Sequence, residues 1–287
     1  MSIKQQFNKL AHFFLVKIAI GLLVIGSAIA LVEFAGRHLL KALPFTESLS
    51  NFLVAFLQAI ISVSSYLLLF RAYEKRQILE LSRNTCSKYA YMGFATGLIL
   101  QTSFIIAIYL AGGYAIIRSN SFSAVLPAFT TALSAGFGAE ILIRGVCFRI
   151  LEEKLGTALS IAILTMLFAL IHSRTPGANF LSVLSTGAQA GFLLSAAFVL
   201  TRSLWFTIFI HFAWDFTEPG IFGAINPGNN VSGSLFTSTI TGSPLITGGA
   251  NGPQNALPAL VFCTILGSLF LWMANRNENF IQPYWKK

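Results

Sequence analysis

The side chains able to do chemistry in this chain are few and regularly spaced. Glu140 and Arg144 lie four residues apart, as do His211 and Asp215, the only aspartate in the sequence. Residues four apart share one face of a helix, so the members of each pair can interact. His172 ends the apolar run FALIH between the two pairs. A carboxylate with two imidazoles and further polar partners suits activation of water and stabilisation of an oxyanion.

The elements that carry these residues are predicted to be membrane helices. The chain has 287 residues, of which 55% are hydrophobic and only 10% charged, with a mean hydropathy of +0.72. Soluble domains carry about 25% charged residues, and a spanning helix needs about 20 apolar ones. The sequence therefore predicts an all-α, polytopic membrane bundle in a single domain, 1–287. Its eight candidate spans are 12–32, 52–70, 90–117, 123–148, 157–173, 180–200, 204–222 and 256–274.

Three of these spans depart from an ordinary membrane helix. The stretches 52–70 and 157–173 are short, and 90–117 is interrupted at Gly112 and Gly113. The charged segment 71–88 is expected to be a connector with a short interfacial helix. Residues 223–253 are rich in Gly, Ser, Thr and Asn, and we expect an outer loop there that acts as a plug, a partner surface or a connector.

The net charge of +9 sets orientation and does not require a nucleic-acid partner. Of the 19 Lys and Arg residues, fourteen fall in loops and helix ends on the same side of the membrane as the N-terminus, and Lys17 lies within the first span. The opposite side has four, which are Arg37, Lys41, Arg118 and Arg174. The positive-inside rule then places both termini in the cytoplasm. A cleaved signal peptide ending near Ala28-Ile29-Ala30 is the alternative interpretation of the first span, but removing that span would weaken the charge bias.

Spacing along the helices predicts that the polar groups lie at the same depth in the membrane. Glu140 and His172 each lie 16 residues from Gly156, which reads as the turn of a helical hairpin. At about 1.5 Å per residue, both lie roughly 12–14 Å inside the cytoplasmic face, and His211 lies at a similar depth. Ionisable residues at such depth are costly and usually functional, so we expect one shared polar cavity. Glu218 is expected at the solvated outer end of the seventh span.

Other chemistries find less support in the sequence. Two histidines with carboxylates can hold zinc, in which case the ligands would be His172, His211 and Glu140. No HExxH motif is present, so no metal or other cofactor is expected. No serine nucleophile stands out, and the three cysteines (Cys86, Cys147 and Cys263) fall at the predicted inner side or within the membrane, without a disulfide framework.

Three motifs in register resemble a known family. GAEILIRG (138–145), FALIH (168–172) and HFAWD (211–215) are similar to the EExxxR, FxxxH and HxxxN/D motifs of the CAAX prenyl protease 2-like, or Abi (CPBP), intramembrane endopeptidases. The resemblance covers about residues 90–275. It implies an eight-helix bundle with a cavity open to the cytoplasm, and cleavage near the C-terminus of prenylated or other membrane-associated proteins. Some members take part in bacteriocin processing and immunity, and the resemblance favours a bacterial plasma membrane. Membrane lipids and a membrane peptide are the expected partners.

The resemblance also assigns roles to individual residues. The family's first glutamate activates water together with the histidine that corresponds to His172. The second glutamate, here Glu140, supports the site with Arg144, while His211 and Asp215 bind water or the oxyanion. The aromatic residues of the later motifs, Phe168 and Trp214, are expected to contact substrate.

This sequence departs from the family pattern at the first glutamate, where it has Ala139. Alanine cannot accept a proton. Glu140 serves as the base instead, or the chain is a natural non-catalytic member, or an inactivating substitution has been introduced. Three functions remain open: an active endopeptidase, a pseudoprotease that binds a membrane peptide in immunity or assembly, and a small transporter. The absence of an internal repeat argues against the transporter.

Overall fold

The helices of this protein confirm the predicted all-α membrane bundle. The computed structural model describes residues 13–41, 43–224 and 233–286. Six helices are long and apolar enough to cross a membrane, and two shorter ones complete the bundle. The helices are α1 (Phe14–Lys41), α2 (Glu47–Tyr73), α3 (Cys86–Leu110), α4 (Phe122–Leu155), α5 (Thr157–His172), α6 (Phe180–Thr201), α7 (204–221) and α8 (Leu257–Arg276).

Two expectations about connecting segments were wrong. The third span ends at Leu110, and residues 114–119 form strand β1 (Tyr114–Ser119) rather than membrane helix. β1 pairs antiparallel with β2 (Phe236–Ile240), which lies within the segment 223–253 that was expected to form an outer loop. Gly112, with φ +75°, makes the turn that ends the helix. Residues 225–232 of that loop lie outside the described part of the chain.

The segment 71–88 likewise contains no interfacial helix. Two short 3₁₀ turns, Leu79–Leu81 and Arg83–Thr85, connect α2 to α3. Lys75 has φ +54°, so the chain turns sharply directly after α2. A run of ion pairs to neighbouring helices fixes this connector, as described below.

Helix α7 lies at the centre of the bundle and carries His211 and Asp215. Its side chains are buried on nearly every face, as expected for a helix that is apolar all round. α3 approaches it closely through Gly93 and Gly97, the small-xxx-small spacing that lets membrane helices touch. A Cβ at Gly97 would lie 2.5 Å from the Ile210 carbonyl oxygen, so no larger residue fits there.

The α4–α5 hairpin forms at the predicted glycine. Gly156 has φ +78°, which confirms it as the turn residue. A Cβ at this position would lie 2.8 Å from the Pro283 nitrogen, because the C-terminal segment packs over the turn. Thr157 holds that segment through two hydrogen bonds with the backbone of Ile281. The hairpin that carries Glu140 and His172 is thus fixed at its base.

Three helices change to π-helical geometry in their interiors or at their ends. The segments are Ile141–Phe148 in α4, Gly187–Leu193 in α6 and Thr217–Ile221 in α7. π-segments are rare and frequently occur at functional sites. These three carry Arg144, Gln189 and Glu218 respectively, which directs attention to the region between α4, α6 and α7.

Candidate active site

Glu140 and Arg144 form a fully buried ion pair on α4. Arg144 Nη1 lies 3.0 Å from Glu140 Oε1, and the two side chains are 1% and 0% exposed. The guanidinium also lies 5.5 Å from the ring centre of Phe168 on α5. Burial of two charges is tolerated when they are paired, and the cation over the aromatic ring adds to the pairing.

His211 connects this ion pair to Asp215. Its Nδ1 lies 2.8 Å from Glu140 Oε1, and its Nε2 lies 3.4 Å from Asp215 Oδ2. With a proton on each ring nitrogen, the imidazolium donates toward both carboxylates. Glu140 therefore holds the orientation of the ring from within the bundle, while Asp215 faces its other side.

A cavity of about 200 Å³ lies beside His211, between α5, α6, α7 and the segment preceding α8. Both candidate histidines and Asp215 line it, together with polar and apolar side chains from four parts of the chain. The lining residues are His172, Thr186, Gln189, Ala190, Leu193, Leu194, Ile210, His211, Trp214, Asp215, Gln254 and Asn255. His172 and the pair His211 and Asp215, which are far apart in sequence, thus meet around one space, whereas Glu140 does not line it.

Four buried polar atoms of the site have no hydrogen-bond partner within the described residues. They are His172 Nε2, Glu140 Oε2, and Nε and Nη2 of Arg144. Buried polar atoms in folded proteins are nearly always hydrogen-bonded, so such exceptions mark groups able to engage water or a ligand. His172 lines the cavity directly, whereas Glu140 is not among the lining residues.

Sequence reasoning missed the amide side chains of this cavity. Gln189 donates through Nε2 to the Gln254 carbonyl oxygen, and Trp214 Nε1 lies 3.5 Å from Gln254 Oε1. Asn255 accepts from Thr186 Oγ1 at 3.4 Å. These contacts hold the segment 253–255 against α6 and α7 at the cavity. The signal available in the sequence was Gln189, a polar amide inside an otherwise apolar span.

The expectation that Glu218 is solvated was wrong. It is 5% exposed and accepts a hydrogen bond from Gln101 on α3. The reason is that the outer end of α7 is covered. Leu235, next to β2, donates its N–H to the Gly220 carbonyl, and Ala224 donates to the Glu218 carbonyl. A chain segment distant in sequence therefore removes this carboxylate from water.

The structure separates the two predicted substrate contacts. Trp214 lines the cavity and packs edge-on against Phe104, with ring centres 5.2 Å apart. Phe168 contacts Arg144 instead and is not among the lining residues. Within the described chain, no group of three or more His, Cys, Asp or Glu side chains is arranged to hold a metal ion, so His172, His211 and Glu140 do not form the zinc site considered above.

Comparison with known proteins agrees with the motifs. Residues 120–217 match the sequence model of a family described as Rce1-like, type II CAAX prenyl endopeptidase Rce1-like. No curated protein and no solved structure matches the chain. The matched range contains all three motifs and every cavity residue except Gln254 and Asn255. Over residues 120–217 the chain is therefore similar to the Rce1-like type II CAAX prenyl endopeptidases, and its six long apolar helices fit an integral, multi-pass membrane protein.

Proposed function

We propose that this protein is an intramembrane endopeptidase of a bacterial plasma membrane, which hydrolyses a peptide bond near the C-terminus of a membrane-associated protein. One observation carries the proposal: His172, His211 and Asp215 line one cavity, within the range that matches an endopeptidase family. The prenylated CAAX-type C-terminus is the family's substrate, and an unmodified membrane peptide is the other candidate.

The geometry favours a division of roles that differs from the family pattern. Glu140 lies behind His211 with one oxygen shared by Arg144 and the imidazole. It is therefore suited to orienting His211 rather than to meeting substrate. With Ala139 in place of the first glutamate, His172 is the group in the cavity best placed to take a proton from water, since Asp215 is paired with His211. His211, held between two carboxylates, would donate to the developing oxyanion.

The remaining lining suits an extended peptide. Gln189, Gln254 and Asn255 supply amide donors and acceptors of the kind that pair with a peptide backbone. Leu193, Leu194, Ile210 and Trp214 offer an apolar wall for a side chain or lipid group. A mostly apolar cavity with a few convergent polar groups is typical of ligand sites.

The second candidate is a pseudoprotease that binds the same peptide without cutting it. Ala139 favours it, because the position that supplies the family's proton acceptor carries only a methyl group. The Glu140 oxygen engaged by Arg144 and His211 favours it as well, since this carboxylate is already used. The two candidates share the cavity and differ only in whether the chain activates water.

Cleavage of membrane-tethered peptides in proteoliposomes separates them. The peptides present free C-termini with and without a prenyl group, and the chain is compared with its His172→Ala, Ala139→Glu and His38→Ala variants. His38 is exposed on α1 and serves as the matched control. Cleavage by the chain and by His38→Ala, with loss in His172→Ala, supports the endopeptidase. Cleavage by Ala139→Glu alone supports the pseudoprotease, and cleavage that survives His172→Ala contradicts the proposed base.

A further inference from the structure

A second polar cavity, separate from the candidate active site, opens between α1, α2 and the start of α4. Its volume is about 360 Å³, and it shares no residue with the cavity around His211. Its lining is polar to an extent unusual for a membrane bundle. The lining residues are Glu33, Arg37, Glu47, Ser48, Asn51, Val54, Ala55, Gln58, Leu126, Pro127, Thr130, Thr131 and Ser134.

The cavity begins at the boundary of the membrane and reaches into it. Glu47 and Ser48 stand in the first turn of α2, next to the connection from α1. Gln58 lies eleven residues further along α2, about 16 Å deeper. Polar and ionisable groups at such depth are expensive and normally mark a binding or transport site.

The groups inside are prearranged by hydrogen bonds. Gln58, only 8% exposed, donates through Nε2 to Glu33 Oε2 at 2.7 Å. Arg37 pairs with the other Glu33 oxygen through Nε and reaches Asn51 Oδ1 through Nη1 at 3.3 Å. Thr130 is 9% exposed and lines the cavity, and its side chain makes no hydrogen bond within the described residues. Its hydroxyl is available to a ligand.

The charges of the lining indicate what that ligand is. Glu33 and Glu47 are acidic and Arg37 is basic, so the charged groups of the described lining leave an excess negative charge, which attracts an ammonium group. Arg37 is the most exposed of the paired groups, with 53% of its side chain accessible, and keeps N–H donors for a phosphate. No aromatic side chain is among the described residues that line the cavity, and recognition of a quaternary ammonium typically uses aromatic rings. The ammonium is therefore one that donates hydrogen bonds.

We propose that this cavity binds the headgroup of an aminophospholipid of the phosphatidylethanolamine class, with the ammonium beside Glu33 and Glu47 and the phosphate at Arg37. The lipid, rather than free phosphoethanolamine, is the source, because the cavity lies between spanning helices and begins where α1 connects to α2. The bound lipid would hold the outer ends of α1 and α2 against α4.

Ligand-induced thermal stabilisation of the full chain in detergent tests this assignment. The probes are dioctanoyl phosphatidylethanolamine, dioctanoyl phosphatidylcholine, dioctanoyl phosphatidylglycerol and free O-phosphoethanolamine. We expect the ethanolamine lipid to stabilise the protein at concentrations about tenfold lower than the choline or glycerol lipids, since each of these loses charge-assisted hydrogen bonds. Equal potency of any of the other three probes would overturn the assignment, and equal potency of free phosphoethanolamine would specifically overturn the lipid as the source.

Variants locate the effect in this cavity. Glu33→Gln removes one carboxylate while keeping the side-chain volume, and we expect it to abolish the preference for the ethanolamine lipid. Glu278→Gln, an exposed residue after α8, is the matched control and should retain the preference. Glu47→Gln, on the exposed first turn of α2, provides a second cavity variant if Glu33→Gln fails to fold. A preference that survives in a folded cavity variant would contradict the proposal.

Discussion

His211 is the residue on which the candidate site depends, since its ring lies between two carboxylates of different character. Glu140 is fully buried and paired with Arg144, whereas Asp215 lines the cavity. Adjacent helical positions point about 100° apart, so a carboxylate at Glu140 cannot stand in for one at Ala139 without moving the helix. The one-residue difference therefore places the carboxylate against Arg144 and His211.

The buried ion pair yields a stability prediction. Replacing Arg144 with Ala leaves the Glu140 carboxylate buried and short of a charged partner, which typically costs about 3–5 kcal/mol. We expect the free energy of unfolding in detergent micelles to fall by that order, and the double variant Glu140→Gln with Arg144→Met to recover a large part of it. An Arg144→Ala protein with unchanged unfolding would mean that the pair does not contribute as its burial indicates.

At the scale of elements, close helix contact fixes where the site residues lie. α7 carries His211 and Asp215, and α3 touches its backbone at Gly93 and Gly97. Lipid tails are as apolar as the helix side chains, so the hydrophobic effect does not bring membrane helices together. Close packing of the backbones at small residues stabilises their contact instead. The position of His211 therefore depends on a helix that contributes none of the three sequence motifs.

Gly97→Ala tests this contact. The new Cβ would lie 2.5 Å from the Ile210 carbonyl oxygen and 2.8 Å from the Ala213 Cβ, so the helices must separate. We expect a loss of about 1–3 kcal/mol, as for other overpacked positions, and a parallel loss of any cleavage because Ile210 precedes His211. Gly26→Ala is the control, because nothing lies within 4 Å of that position in the described structure. It should be neutral or slightly stabilising, and equal losses in both variants would refute the packing explanation.

The π-segment of α4 depends on a side chain from α2. The Tyr66 hydroxyl lies 3.1 Å from the Gly145 carbonyl oxygen, and Arg149 Nε donates to the same oxygen at 3.1 Å. We expect Tyr66→Phe to lower the melting temperature, since it removes one of these bonds and the contact with Glu80. Ser65→Ala is the neighbouring control, since its hydroxyl bonds only to carbonyls of its own helix. If Tyr66→Phe behaves like this control, the hydroxyl does not stabilise the segment.

At the scale of the whole molecule, an ion network ties the α2–α3 connector to two other helices. Glu74 pairs with Lys17 on α1, Arg76 in the connector and Arg149 on α4. Burial alone would raise the pKa of Glu74, but the neighbouring cations, Arg149 foremost, outweigh it and hold the pKa below its usual range. Glu80 shows the same balance, with burial opposed mainly by hydrogen bonds from Arg76 and Tyr66.

These pKa directions predict acid sensitivity. Because both carboxyls have a folded-state pKa below the usual 4.5, their stabilisation is fully present above that pH and is lost as the pH falls through the folded-state pKa. We expect the melting temperature in detergent to decrease as the pH falls below 4.5, and the decrease to be smaller in Glu80→Gln. Glu278→Gln should follow the unmodified chain. A Glu80→Gln protein with the full acid sensitivity would remove this carboxyl from the explanation.

Much of the bundle could be predicted from local pattern, while its outer face could not. Apolar length identified the helices, and i,i+4 spacing identified the Glu140–Arg144 and His211–Asp215 pairs, because helix geometry alone brings such residues together. Gly156 could be assigned because only a glycine readily adopts its backbone angles. The β1–β2 pairing escaped prediction because it joins segments more than a hundred residues apart, and no local period encodes such a partner.

The sequence by itself determined the class of protein, the helices and the pairs within each helix, since these depend on composition and on contacts between near neighbours. Only the tertiary structure decided that Glu140 lies behind His211, that Gln189 and Gln254 meet at the cavity, and that Glu218 is buried. Each of these depends on how one helix is rotated against another, or on a loop returning over a helix end. Such arrangements are set by long-range packing, which cannot be inferred from the spacing of residues along one helix.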